Sequence, residues 1–142
     1  MIRAAEEHGR RLLLPSDHVV AESLEPGAAT RVERRIPAGW VGLDIGPETA
    51  RGYVEEAQRS NTIFWNGPMG MFERDAFAAG TRVVAEGLAR CTGTTVVGGG
   101  DSLAAVNQLG LGDRIDHLST GGGASLEFVQ GLTLPGVAAL EA

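Results

Sequence analysis

Thr95-Val96-Val97-Gly98-Gly99-Gly100-Asp101-Ser102-Leu103 is a short apolar run that closes on three glycines, and a helical pattern follows it. The same order recurs on either side. Thr62 to Trp65 runs into Asn66-Gly67-Pro68, and His117-Leu118 runs into Ser119-Thr120-Gly121-Gly122-Gly123. Strand, glycine turn and helix in alternation predict an α/β fold, an open parallel sheet with helical crossovers. Between these runs, Asp75 to Arg90 sets Phe77, Val84 and Leu88 on one helical face, and Pro47 to Arg59 opens with a proline suited to a first helical turn. Arg11 to Leu14, continued by Val19-Val20-Ala21, reads as an earlier strand interrupted by Pro15-Ser16-Asp17. Arg31 to Arg35 reads as the exposed face of a short strand, and Gly131 to Pro135 as a closing turn.

With 142 residues, 43% of them hydrophobic, the chain has enough apolar side chain for one domain. A compact chain of this length buries roughly 70% of its unfolded surface. The balance of 12 basic and 18 acidic residues leaves a net charge of -6, which argues against a general grip on nucleic acid or on an anionic membrane. All 12 basic residues are arginine, so no lysine ammonium is available to any chemistry. Cys91 is the single cysteine, which rules out an internal disulfide and suits a reducing compartment. Leu12-Leu13-Leu14 stops at Pro15, too short for a signal or a membrane span, so the expected location is cytoplasmic.

In an open parallel sheet, ligands sit at the carboxyl ends of the strands, where the first N–H groups of the next helix lack partners. Gly98-Gly99-Gly100 and Gly121-Gly122-Gly123 each stand at such a place, and their missing side chains let N–H groups approach a phosphate closely. Asp101 offers a carboxylate beside that phosphate, as Mg²⁺ bridged to phosphate oxygens requires; Ser102 would cap the helix or donate to the same phosphate. Glu73 sits where a carboxylate would accept from ribose hydroxyls. The dinucleotide fingerprint fails because Leu103 and Leu126 stand where the third glycine belongs, and a Walker A loop fails for want of a lysine. Gly100-Asp101-Ser102-Leu103 spells an esterase nucleophile block, but Asp113 is followed at the expected spacing by Asp116 and not by the histidine base. His8, His18 and His117 have no metal-ligand spacing.

Trp65-Asn66-Gly67-Pro68-Met69-Gly70-Met71-Phe72-Glu73, Gly98-Gly99-Gly100-Asp101-Ser102 and Ser119-Thr120-Gly121-Gly122-Gly123-Ala124 together resemble the phosphoglycerate kinase family, in its C-terminal, nucleotide-binding part. The likeness runs from Leu14-Pro15-Ser16-Asp17 through Gly39 to Pro47 and on to Leu134-Pro135-Gly136-Val137. It implies a Rossmann-like, three-layer domain of a cytoplasmic glycolytic transferase that moves the acyl phosphate of 1,3-bisphosphoglycerate to ADP, giving ATP and 3-phosphoglycerate. By the same resemblance Gly42 and Leu43 line an adenine pocket, with Pro68 and Met71 on its adenine and ribose side and Glu73 on the ribose. Asn66 lies near the phosphates, and Gly99, Gly100, Asp101 and Ser102 hold nucleotide phosphate and Mg²⁺. Gly121, Gly122 and Gly123 serve the phosphoryl group in transfer, a step that rests on positioning and on neutralising spread charge.

The resemblance also implies what residues 1–142 do not carry: the N-terminal domain that binds phosphoglycerate, and the lysines that contact the nucleotide phosphates. Met1 to Arg10 reads as the remainder of a helix, and the chain as a partial domain, inactive alone. A catalytically silent nucleotide-binding module is one alternative. A split-enzyme half that assembles with a partner chain is another.

Overall fold

A computed structural model describes residues 2–25 and 27–140. The predicted alternation appears as strand β4 (Thr62–Asn66), helix α3 (Ala79–Leu88), strand β5 (Thr94–Gly98), helix α4 (Gly100–Gln108), strand β6 (His117–Ser119) and helix α5 (Gly122–Val129). The strands form a parallel sheet in the order β4-β5-β6, with Trp65 opposite Val97 and Val97 opposite Leu118. The α/β fold with a parallel sheet and helical crossovers is therefore present.

Alternation along the strands decides the layers. Trp65, Thr95 and Val97 are buried. Trp65 and Val97 point into a core shared with Val84, Ala85 and Leu88 of α3, Val106 of α4, Ile115, and Ile45 and Ala50. Phe64 and Val96 point the other way, toward Ala124 and Phe128 of α5 across an apolar groove. On this second face of the sheet, α5 is the helix that borders the groove. Helices α4 and α5 each stop at a glycine of positive φ, Gly110 (+66°) and Gly131 (+76°). Paired turn hydrogen bonds close both ends: Leu111 N–H to the Val106 carbonyl, and Leu132 N–H to the Glu127 carbonyl.

The N-terminal half departs from the predicted pattern. Strands β1 (His18–Ala21), β2 (Thr30–Glu33) and β3 (Val41–Ile45) form a second, antiparallel sheet in the order β2-β1-β3, with a register shift between Val19 and Val20. The short links around β1 leave no room for a helical crossover, so its neighbours run antiparallel. Arg11 to Leu14 is not a strand, contrary to its apolar pattern. It lies exposed along helix α2 (Pro47–Gln58), where the Tyr53 hydroxyl donates to the Leu13 carbonyl and Arg11 pairs with Glu56 at 3.0 Å.

Other elements match with adjusted bounds. Asp75–Phe77 is a 3-10 turn that ends at Ala78 before α3 begins, so the predicted single helix is two pieces. Phe77, Val84 and Leu88 are nevertheless all buried. The arginine-rich strand β2 is exposed, with Arg31 stacked 4.1 Å over the Trp40 ring. Helix α1 covers Ile2–Glu7 of the predicted N-terminal helix, whose Met1 lies outside the described residues. The closing turn leads into a last helical turn, α6 (Pro135–Ala138).

Candidate functional site

Helices α2, α4 and α5 begin at or just after the carboxyl end of a strand and α3 follows the 3-10 turn after β4, and the four N-termini fall into two kinds. In α2, Glu48 N–H and Thr49 N–H donate to the two carboxylate oxygens of Asp17 at 3.0 and 2.8 Å, and the Thr49 hydroxyl donates to the same carboxylate. In α3, Gly80 N–H donates to Asp44 at 2.7 Å. Buried aspartates from other segments thus satisfy these two helix starts. Burial alone would raise the Asp17 carboxyl, but hydrogen bonds from Thr49 and Glu48 and the charge of His18 outweigh it and hold Asp17 below the usual range. For Asp44 burial dominates and pushes its carboxyl up, despite the N–H groups of Gly80 and Ile45.

Helices α4 and α5 have no such partner among the described residues. Their N-caps are Gly99 and Gly121, neither helix has a side-chain cap, and the first N–H groups of each are left open. The two starts are neighbours: a Cβ on Gly122 would stand 3.8 Å from the Cα of Gly99. Gly99, at φ +92°, lies against the Asn66 side chain, and a Cβ there would meet the amide nitrogen at 3.4 Å. The structure thus brings Asn66, Gly99, Gly100, Gly121, Gly122 and Gly123 into one cluster at the carboxyl end of the parallel sheet. Asp101 is exposed in the first turn of α4 beside it.

Ser102 behaves differently from its reading in sequence. It neither caps α4 nor presents its side chain outward. Fully buried, its hydroxyl oxygen accepts the Gly67 N–H at 2.6 Å and ties the turn after β4 to α4. The packing of that turn onto α4 fixes this role.

A second feature adjoins the cluster through residues 66–71. Gly42, Leu43, Pro68 and Met71 line one open cleft of about 440 Å³, within the range of small-molecule pockets. Sequence reading missed Pro15, His18, Ile36, Asp44, Ile45, Met69 and Gly70, which also line it. Ile36 forms part of its floor, and a Cβ on Gly42 would meet Ile36 Cδ1 at 2.7 Å, so the Gly42 position keeps room for that side chain. Glu73 is exposed and is not among the lining residues; it follows Phe72, which is buried in a separate small cluster with Ala78 and Ala105. Only the apolar signal of Ile36 hinted at the cleft floor, and no local pattern marks Pro15 or His18.

The fold and the site are those of an open-sheet α/β protein, with two uncapped glycine helix starts beside an apolar cleft. The family model for phosphoglycerate kinase matches residues 1–132, and the chain belongs to that family. A phosphoglycerate kinase of Rubrobacter xylanophilus is 58% identical over 140 residues, which are 97% of this chain and 36% of that protein. One of Clostridium tetani is 54% identical over 142 residues, 99% of this chain and 35% of that protein. Among solved structures, phosphoglycerate kinase of Coxiella burnetii matches with a TM-score of 0.86 and 39% identity, covering 92% of this chain and 35% of that one. Phosphoglycerate kinase from Pyrococcus horikoshii OT3 matches with a TM-score of 0.84 and 34% identity, covering 98% and 35%. The chain spans about a third (36%) of the length of the curated relatives it matches.

Proposed function

We propose that this chain is the C-terminal, nucleotide-binding part of a phosphoglycerate kinase and holds MgADP or MgATP between its cleft and its glycine cluster. The observation that carries the reading is the contrast among helix starts. Protein carboxylates fill those of α2 and α3, while those of α4 and α5 lie open side by side and are suited to an external anion. Adenine would occupy the cleft of Gly42, Leu43, Pro68 and Met71. Residues 66–71 lead from it to the cluster, so phosphates would reach Asn66, Gly99, Gly100 and the N–H of Ser102. Glu73 is assigned to the ribose by resemblance.

Mg²⁺ fits the residues present. Asp101 offers a hard, exposed carboxylate oxygen beside the phosphate cluster, and no group of three metal-ligating side chains gathers among the described residues, so phosphate oxygens would complete the shell. The metal would neutralise phosphate charge. The chain's own part is to aim N–H groups of Gly121, Gly122 and Gly123 at the transferring phosphoryl group and to keep the nucleotide in register. In the complete glycolytic kinase, these residues would serve transfer between 1,3-bisphosphoglycerate and ADP. No helix among the described residues is long and apolar enough to cross a membrane.

Titration with ADP tests the reading. Binding by the 142-residue polypeptide should lie near the millimolar range, roughly -4 kcal/mol, because no lysine adds charge to the phosphate contacts. Asp101→Asn should weaken binding when Mg²⁺ is present and leave it nearly unchanged without it. Equal losses in both conditions would assign Asp101 to the helix alone. In a coupled assay the same polypeptide should show no transfer above background, since it presents one wall of a reaction cleft; turnover that survives removal of host enzyme would contradict this.

A further inference from the structure

Thr81 is not among the residues that line the cleft and Asp44 borders it, and both are buried at the point where three segments meet. The Thr81 hydroxyl oxygen, on the first turn of α3, accepts the Met69 N–H at 3.0 Å and the Gly70 N–H at 3.3 Å. Asp44, in β3, takes the Gly80 N–H at 2.7 Å and the Ile45 N–H at 2.8 Å. Met71 N–H donates to the Leu43 carbonyl at 2.9 Å. The loop carrying Pro68, Met69, Gly70 and Met71 is therefore hung from β3 at one end and from α3 at the other, while Asp44 fastens α3 to β3. Packing is close enough that a Cβ on Gly70 or Gly80 would overlap the Asp44 carboxylate.

We infer that Thr81 and Asp44 are positioning residues: they clamp residues 68–71 onto β3 and so preform the base-binding wall of the nucleotide cleft. Thr81 lies outside the cleft lining, and Asp44, which borders it, has its carboxylate engaged by the Gly80 and Ile45 N–H groups. The inference rests on the nucleotide reading above, but its geometry is set within the polypeptide. Without the clamp the loop would have to be ordered when the ligand arrives, and that cost would fall on the base and not on the phosphates, which bind the N-termini of α4 and α5.

Two probes separate the halves of the site: adenosine, which reaches only the cleft, and inorganic pyrophosphate, which reaches only the glycine cluster. The full 142-residue chain should show slow amide exchange at Met69 and Gly70. Thr81→Val keeps the shape and removes the acceptor. It should release both amides and weaken adenosine about ten-fold, with pyrophosphate unchanged within about two-fold. Thr81→Ser should restore protection and affinity. Fast exchange at Met69 and Gly70 in the unaltered chain, or an equal loss of adenosine and pyrophosphate in Thr81→Val, would overturn the clamp. Should Thr81→Val not fold, Thr81→Ala with the same exchange measurement and the same two probes carries the test, and it too should release both amides and lose adenosine selectively. Protected amides in a chain that binds neither probe would overturn the nucleotide reading and leave the clamp standing on exchange alone.

Discussion

Asp17 shows how much one side chain can do for a helix it does not belong to. Its carboxylate receives Glu48 N–H, Thr49 N–H and the Thr49 hydroxyl, and its own N–H donates to that hydroxyl at 3.1 Å. Gly46 precedes α2 because a Cβ there would overlap the Asp17 carboxylate. Because these contacts favour the charged form and lower the Asp17 carboxyl, the folded state releases this proton more readily than the unfolded one. The stability it contributes is full above the ordinary aspartate range and is lost as pH falls through the lowered value. Asp17→Asn should therefore cost about 1–2 kcal/mol at pH 7, and the gap to the unaltered chain should close as pH drops into the acid range. Urea unfolding at a series of pH values measures this; a gap that stays constant with pH would refute it. Asp44 has the opposite sign, since its raised carboxyl adds stability as pH falls.

At the scale of elements, helices α2 and α3 pack tightly against each other. Gly87 faces Val54 so tightly that a Cβ on it would stand 2.5 Å from Val54 Cγ2 and 2.8 Å from Cγ1. Alanine is ordinarily better than glycine inside a helix by about 1 kcal/mol. Here Gly87→Ala should instead destabilise by about 1–3 kcal/mol through overpacking. Adding Val54→Ala makes room for the new methyl, so the double variant should regain most of the loss. Thermal unfolding of the four proteins of this cycle gives the coupling; additive effects would mean that the two side chains do not meet.

For the whole molecule, the two faces of the parallel sheet are unequal. Trp65, Val97 and three helices close one face, while Phe64 and Val96 border an apolar groove beneath α5. Phe128 is 70% exposed, and Val129, Leu132 and Leu140 are also exposed. Among the described residues strand β4 pairs with β5 alone, which leaves its other edge open. Apolar faces and open edges of this kind drive association. The 142-residue polypeptide should run larger than a monomer in sedimentation and bind a hydrophobic dye, and Phe128→Ser should reduce both. A monodisperse monomer that ignores the dye would refute this.

The sequence by itself determined the periodic part of this protein. Apolar runs ending on glycine place β4, β5 and β6, Pro47 starts α2, and the motifs around Trp65, Gly98 and Ser119 identify the family, because strand alternation and helix starts are local properties of the chain. Tertiary structure decided what depends on partners distant in sequence. Arg11 to Leu14 has a strand's composition but finds no strand to pair with, and the N-terminal sheet turns antiparallel because its links are short. Nothing in the local pattern shows that Ser102 is turned inward to Gly67, that Glu73 lies outside the cleft lining, or that Pro15 and His18 line the cleft. Asp17 and Asp44 look in sequence like ordinary surface acids. Folding buries them against distant helix starts, Asp17 against Thr49 32 residues on and Asp44 against Gly80 36 residues on, while the first N–H groups of α4 and α5 stay open.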